Sequence, residues 1–305
     1  MGARVLLTGA TGFIGTALIP VLLAKGFEVH AVARKAFSPP PGNIITHSVD
    51  LMDLAARRAL VKSVAPPYCL HLAWNAIPGR YLTTRENLLW TAATLGLYHD
   101  FVTCGGRRFL GVGSCAEYDW SYDGLLKEAD TPYRPSTLYG SAKEASHRLL
   151  QESALLDGVS FAWAHLFFTY GPGESPGRLV SDIARGCLNG EVVPTSLGTQ
   201  IRDYMYVKDV ANALTCLLDG QVEGTVNVAS GIARPVSEVI LAVSEAAGRP
   251  DLVELGGRES PVEEPQSLVA DVNRLRNEVG YEPSYTLIEG VCETVNWWRS
   301  QIRND

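Results

Sequence analysis

The chain of 305 residues carries 26 Lys and Arg against 33 Asp and Glu, a formal net charge of -7, and 46% of its residues are hydrophobic. That length suits one large core or two smaller ones. The basic residues are interleaved with acids and form no stripe, which excludes the electrostatic footprint of a nucleic-acid binder; the longest apolar runs, 17–24 and 161–168, are too short to cross a bilayer.

In chain order, apolar runs and helical periodicity alternate. Strands are expected at 5–7, 28–33, 68–73, 108–112 and 161–166, and helices at 14–25, 55–64, 85–102 and 136–156. Gly26 and the pair Asp157-Gly158 supply the stops after the first and last of these helices. The strands are continuous apolar runs rather than alternating ones, as expected where both faces are covered in a parallel sheet. Strand–helix alternation then predicts an α/β, doubly wound layer. Beyond residue 168 the texture changes. Residues 169–178 and 195–203 read as loops, 225–228 as a short strand, and 179–189, 207–218, 236–247, 272–279 and 287–298 as helices. The expected division is a first unit of 1–168, rejoined by 204–230, and a smaller second unit of 169–203 and 231–305.

The 6 cysteines include no C-x-x-C pair, so neither a zinc site nor a redox couple is written in the sequence. Lone cysteines in apolar surroundings, with no basic-then-apolar leader pattern, lead to an expected cytoplasmic location.

Between the first strand and first helix stands Thr8-Gly9-Ala10-Thr11-Gly12-Phe13-Ile14-Gly15. Gly9 permits a tight turn, Gly12 lets backbone N–H groups approach a pyrophosphate, and Gly15 allows close packing of helix on strand. The helix N-terminus then favours the anion. The loop is G-x-x-G-x-x-G, one residue longer than the usual dinucleotide fingerprint. After the second strand stand Arg34 and Lys35, where an acid would bind the ribose hydroxyls of NAD and an Arg the 2′-phosphate of NADP. This favours NADP(H) over NAD(H), with a solvated basic loop as the alternative. Asp50, before Leu51, is placed to accept from an adenine amino group or to cap the following helix.

Tyr139 and Lys143 lie four residues apart on one helical face. A neighbouring ammonium favours the phenolate, so such a tyrosine is able to exchange a proton with a carbinol oxygen. Ser114, ending the preceding strand, is placed to polarise the same oxygen.

In this order the motifs resemble the extended short-chain dehydrogenase/reductases of the nucleotide-sugar epimerase/dehydratase group. The matching segments are Thr8–Gly15, Asp50-Leu51, His71-Leu72-Ala73, Asn87, Ser114, Tyr139 with Lys143, the run from Phe168 to Gly173, and the run from Arg202 to Val210. The resemblance implies a Rossmann-type half for the cofactor and a smaller C-terminal part for a nucleotide-diphosphate sugar. It implies Ser114, Tyr139 and Lys143 as catalytic. It assigns Gly9, Thr11, Gly12, Phe13, Ile14, Gly15, Arg34, Asp50, Leu51, Leu72, Ala73 and Phe167 to the cofactor, together with Tyr139 and Lys143. Trp74, Cys115, Phe168, Arg202 and Arg258 are assigned to the substrate. The alternative for Arg202 is an ion pair with Asp203 or Asp209, and Asn87 reads first as a buried polar group bonding backbone. The resemblance also implies a homodimer through helices 85–102 and 136–156, to which Leu88, Leu89, Leu95 and Leu97 would give apolar area. No metal, nucleic acid or membrane is expected.

Departures from the resemblance sort the chemistry. The 4,6-dehydratases carry an Asp-Glu pair after the serine position; here stand Cys115 and Ala116, with Glu117 one place late and expected to point elsewhere if the segment is extended. Cys115 lies beside, not on, the position of the catalytic cysteine in the GDP-fucose synthase type, and His147 reads as a bystander. The expectation is NADPH-dependent reduction of a nucleotide-linked 4-keto-6-deoxyhexose, with an NAD-dependent nucleotide-sugar 4-epimerase or a non-catalytic dinucleotide binder as alternatives.

Overall fold

The computed structural model describes residues 2–259 and 264–303. Seven strands form one parallel sheet: β1 (Arg4–Thr8), β2 (Glu28–Ala33), β3 (Ile44–Ser48), β4 (Tyr68–His71), β5 (Arg108–Ser114), β6 (Ser160–Leu166) and, later in the chain, β11 (Gly224–Val228). Their order is β11-β6-β5-β4-β1-β2-β3. The order reverses beside β1, which pairs with both β2 and β4 (Leu7↔Ala31, Leu7↔Leu70). Ligands in such sheets sit at the carboxyl ends of the strands flanking that switch.

The helices in chain order are α1 (Phe13–Ala24), α2 (Leu54–Val64), α3 (Glu86–Thr103), α4 (Leu138–Asp157), α5 (Leu179–Asn189), α6 (Val207–Asp219), α7 (Val236–Ala247), α8 (Asn273–Asn277) and α9 (Leu287–Ile302). Strand alternation explains the continuous apolar runs. Val5 and Leu7 enter one core beside α1 and α6, whereas Leu6 enters another beside α2 and α3. The dinucleotide-fold expectation holds: the architecture is α/β, with a doubly wound parallel sheet.

Four differences from the expected elements have local causes. Edge strand β3 is absent from the sequence reading, because Ile44–Ser48 is half-exposed and short of apolar residues. Strand β4 stops at His71, since Leu72 and Ala73 turn back over Gly9: Leu72 N donates to Thr8 O and Ala73 N to Thr8 Oγ1. Part of the first expected loop is strand β7 (Phe168–Tyr170), paired in parallel with β10 (Tyr204–Tyr206). Part of the second is β9 (Ile201–Arg202), flanked by β12 (Arg234–Pro235) and β14 (Ser267–Leu268). A further pair, β8 (Val193–Thr195) and β13 (Val253–Leu255), completes the small sheets.

A third core gathers Val180, Ile183, Val239, Ile240, Val291 and Val295 from α5, α7 and α9. One buried carboxylate ties this region to the main sheet. Asp203 accepts from Ser230 N at 2.8 Å, Ser230 Oγ at 2.6 Å, Gly231 N at 2.9 Å and Ala270 N at 3.3 Å. Among the described residues no helix is long and apolar enough to cross a membrane.

Candidate active site

The turn after β1 is built as the glycine spacing requires. Gly9 has φ +71°, and a Cβ there would lie 3.0 Å from Ala73 N. Gly15 packs on the turn rather than on the strand as expected: its Cβ would fall 2.2 Å from Gly9 O. Gly12 meets only Gly9 O, at 3.2 Å, so its missing side chain leaves room on the ligand side. Gly12 is also the N-cap of α1 and offers no side-chain cap, and the first turn holds no acid. The N–H groups of that turn are therefore left for an anion. Thr11 is exposed and Phe13 and Ile14 half-buried on the same turn.

The turn is braced from below. Thr8 Oγ1 bonds His71 Nδ1 at 2.7 Å, and His71 Nε2 bonds Thr94 Oγ1 at 2.9 Å. Burial pushes His71 down to about 3, so the imidazole is neutral. Arg34 and Lys35 are exposed at the carboxyl end of β2. Asp50 does not cap α2. Its Oδ1 accepts Met52 N at 3.0 Å, while Asp53 accepts Ala55 N and Ala56 N, since only the residue directly before the helix can reach those donors. Leu51 is buried beneath.

Ser114 ends β5, and a single 3-10 turn, Cys115–Glu117, follows it. Ser114 Oγ accepts Ala116 N at 3.2 Å. Tyr139 sits in the first turn of α4, capped by Thr137 Oγ1. Gly140 permits that approach, because a Cβ on it would fall 2.2 Å from Ala116 O. The Tyr139 ring is boxed by Tyr81 at 4.9 Å and Trp74 at 6.2 Å, both edge-on. Trp74 is fixed in turn by Nε1 donating to Asn87 Oδ1 at 2.8 Å; fully buried Asn87 donates to Tyr81 O and Thr84 O. Asn87 is thus a polar brace for the loop after β4.

Burial raises the Tyr139 phenol above its ordinary value, with Tyr81 and Glu117 adding to the effect and Ser114 opposing it. Lys143 does not produce the depressed phenol that the sequence suggested. Its ammonium instead donates to Val112 O at 2.7 Å and lies over the Trp74 ring. Burial pushes this amine down to about 7, against the opposing pull of Glu117. An amine near half-protonation supplies a weaker counter-charge to the phenol.

Glu117 is fully buried. The 3-10 turn, not an extended segment, sends it inward, and it accepts Ser114 N at 2.9 Å and His165 Nε2 at 3.0 Å. Cys115 is buried, its thiol pushed up to about 12 by burial. Phe167 is buried at the end of β6, and Phe168 faces Arg202, whose guanidinium lies 5.5 Å from that ring.

Arg202 and Arg258 converge on one cavity of about 180 Å³, shared with Phe168, Ser196, Gln200 and Glu264. Arg202 pairs with neither Asp203 nor Asp209. Its Nη2 donates to Glu264 Oε1 at 2.9 Å, while Asp203 closes the clamp already described and Asp209 accepts Tyr281 OH and Ser284 N. Of the leucines expected at a subunit surface, Leu97 is fully buried under the sheet and Leu95 half-buried, because that helix face covers β4 and β5; Leu88 and Leu89 are each 57% exposed.

Residues 5–229 match the family described as NAD dependent epimerase/dehydratase family. A dTDP-glucose 4,6-dehydratase of Xanthomonas campestris pv. campestris is 27% identical, over 96% of this chain and 92% of its own. The structure of the UDP-glucose 4-epimerase of Thermus thermophilus complexed with NAD is 27% identical, covering 97% of this chain and 99% of that one, with a TM-score of 0.86. MoeE5 in complex with UDP-glucuronic acid and NAD is 31% identical, covering 98% and 100%, with a TM-score of 0.84. On its fold, its glycine turn and these matches, the chain belongs to the NAD-dependent epimerase/dehydratase family and is an enzyme of the extended short-chain dehydrogenase/reductase type.

Proposed function

We propose that the enzyme reduces the 4-keto group of a nucleotide-linked 4-keto-6-deoxyhexose, using NADPH. The observation that carries this reading is the pairing of exposed Arg34 and Lys35 at the end of β2 with the absence of any acid at Cys115 and Ala116. A bound reduced nicotinamide would supply hydride to sugar C4. Tyr139 gives its proton to the oxygen, Ser114 donates a hydrogen bond to that oxygen, and Lys143 orients the ribose once Trp74 yields room. Dehydration is disfavoured because Glu117, the acid nearest in sequence to Ser114, is spent on buried hydrogen bonds.

The fit to a dinucleotide rests on uncapped α1 and on the open face of Gly12. In this reading Gly9–Gly15, Asp50, Leu51, Leu72, Ala73 and Phe167 surround the dinucleotide. The cavity at Arg202 and Arg258 takes the substrate diphosphate, since guanidinium forks bond phosphate oxygens in pairs. Trp74, Cys115 and Phe168 flank the sugar. The third core, with α5, α7 and α9, forms the sugar-nucleotide half. Exposed Leu88, Leu89 and Leu149 on α3 and α4 form the dimer surface. Free cysteines among the described residues fit a reducing cytoplasm.

A second reading, an NAD-dependent nucleotide-sugar 4-epimerase, is favoured by the relatives solved with NAD. Calorimetric titration with NADPH and NADH separates the two. Tighter NADPH binding that Arg34→Ala abolishes supports the reductase. Equal or tighter NADH binding, unchanged in Arg34→Ala, overturns it in favour of the epimerase.

A further inference from the structure

A buried carboxylate joins the pieces that carry Ser114 and Lys143. Glu117 Oε1 accepts Ser114 N at 2.9 Å, so it fixes the end of β5. Both Glu117 oxygens lie 3.2 Å from Trp163 Nε1, on β6. His165 Nε2, also on β6, lies 3.0 Å from Oε2, and His147 Nδ1 lies 3.5 Å from it. His147 stands one turn beyond Lys143 on α4, and its ring stacks on Trp163 at 5.2 Å with an interplanar angle of 1°. The Lys143 ammonium is 5.9 Å from the Trp163 ring, whose N–H points to the carboxylate.

The chain makes room for this cluster with glycine. A Cβ at Gly113 would fall 2.1 Å from Trp163 Nε1 and 2.2 Å from Glu117 Oε1. A buried carboxylate is costly unless paired and hydrogen-bonded. Here burial acts to raise Glu117, but His165 and His147 hold it well below the usual carboxylate range, so it remains an anion.

We propose that Glu117 is a positioning residue for the reaction: it fixes Ser114 through its backbone and opposes the charge of Lys143 from behind. This rests on the assignment of Ser114 and Lys143 to the reaction. The charged and titratable groups facing Lys143 are Glu117 from the 3-10 turn and His71 from β4. Those facing Glu117 are Lys143, Tyr139 and His147 from α4, His165 from β6, and Cys115, Tyr118 and Tyr133 from the segment around it. Tyr118 and Tyr133 flank the histidines.

The test is the titration of Lys143, followed by carbon-13 NMR of lysine labelled at Cε and assigned with Lys143→Met. Glu117→Gln removes the anion while keeping the shape. The expected result is a fall in the Lys143 midpoint of about one pH unit or more. A merely structural glutamate would leave the midpoint in place in a folded variant, and that result overturns the proposal. Should Glu117→Gln fail to fold, Glu117→Asp retains the charge and withdraws it by one methylene. A faster-exchanging Ser114 amide in Glu117→Asp then upholds the proposal, and an unchanged amide overturns it. The titration uses no substrate, so it can fail while loss of turnover in Tyr139→Phe upholds the reaction, or succeed while Tyr139→Phe retains turnover.

Discussion

Lys143 Nζ lies 4.0 Å from the centre of the Trp74 ring. A lysine on α4 and a tryptophan from the loop after β4 thus share one contact, and a cation over an indole face is attracted by the ring quadrupole. The amine has no water shell here, being 3% exposed, and its folded value of about 7 lies below its ordinary 10.5.

That depression has a sign. Between the folded and ordinary values the unfolded chain binds the extra proton, so Lys143 makes stability rise with pH across this window. From pH 7 to about 8.5, below the range where the buried thiols titrate on unfolding, the stability of Lys143→Met relative to the parent will fall as pH rises. Thermal unfolding at a series of pH values checks this; parallel curves would refute it.

Glu174 gives the opposite slope. Burial pushes its carboxyl up to about 8, from an ordinary 4.5, while Ser181 N donates to it at 3.1 Å. The folded chain keeps the proton that the unfolded chain releases, so its contribution falls as pH rises between those values. Glu174→Gln keeps the acceptor without the ionisation. It will raise the unfolding midpoint at pH 8 by about 5 °C or more relative to the parent, and change it little at about pH 4.5.

Two glycines of the turn will behave differently. Gly15→Ala drives a methyl to 2.2 Å from Gly9 O and will lower both the unfolding midpoint and dinucleotide affinity. Gly12→Ala has an ordinary φ of -77° and a nearest contact at 3.2 Å. It will change stability by about 1 kcal/mol or less, yet weaken NADPH or NADH binding about tenfold or more by crowding the phosphate side. Calorimetry beside thermal unfolding separates the two effects; equal damage to stability would contradict the assignment.

At the cavity proposed for the diphosphate, Arg202 is held by Glu264. Arg202→Ala will weaken UDP binding by about tenfold or more, as expected for loss of a charge-assisted pair. Glu264→Gln, which weakens the competing ion pair, will strengthen it. Isothermal titration with UDP measures both; unchanged affinity in Arg202→Ala would move the nucleotide elsewhere.

The parallel sheet was legible because Val5–Leu7 and Phe161–Leu166 are apolar on both faces, which only a covered strand needs. The glycine turn was legible because its spacing and its place after β1 are both local. What escaped was long-range. Nothing near Arg202 names Glu264, 62 positions away, as its partner. The inward turn of Glu117 depends on a 3-10 turn three residues long, too short to carry a period. His165 was the available signal: a histidine inside the apolar strand Phe161–Leu166 must find a buried partner. His147, read from sequence as a bystander, is the second member of that cluster.

The four hydrogen bonds to Asp203 bear on how this chain can be cut. Gly231 and Ala270 lie beyond β11, so removing everything after residue 230 would take two of the four donors. The carboxylate left behind is 0% exposed and would face the main sheet with half its partners gone. The seven-stranded layer is therefore not a detachable cassette: its own last strand is stapled by residues that arrive later, and an isolated 1–230 fragment will be a poor stand-in for the enzyme.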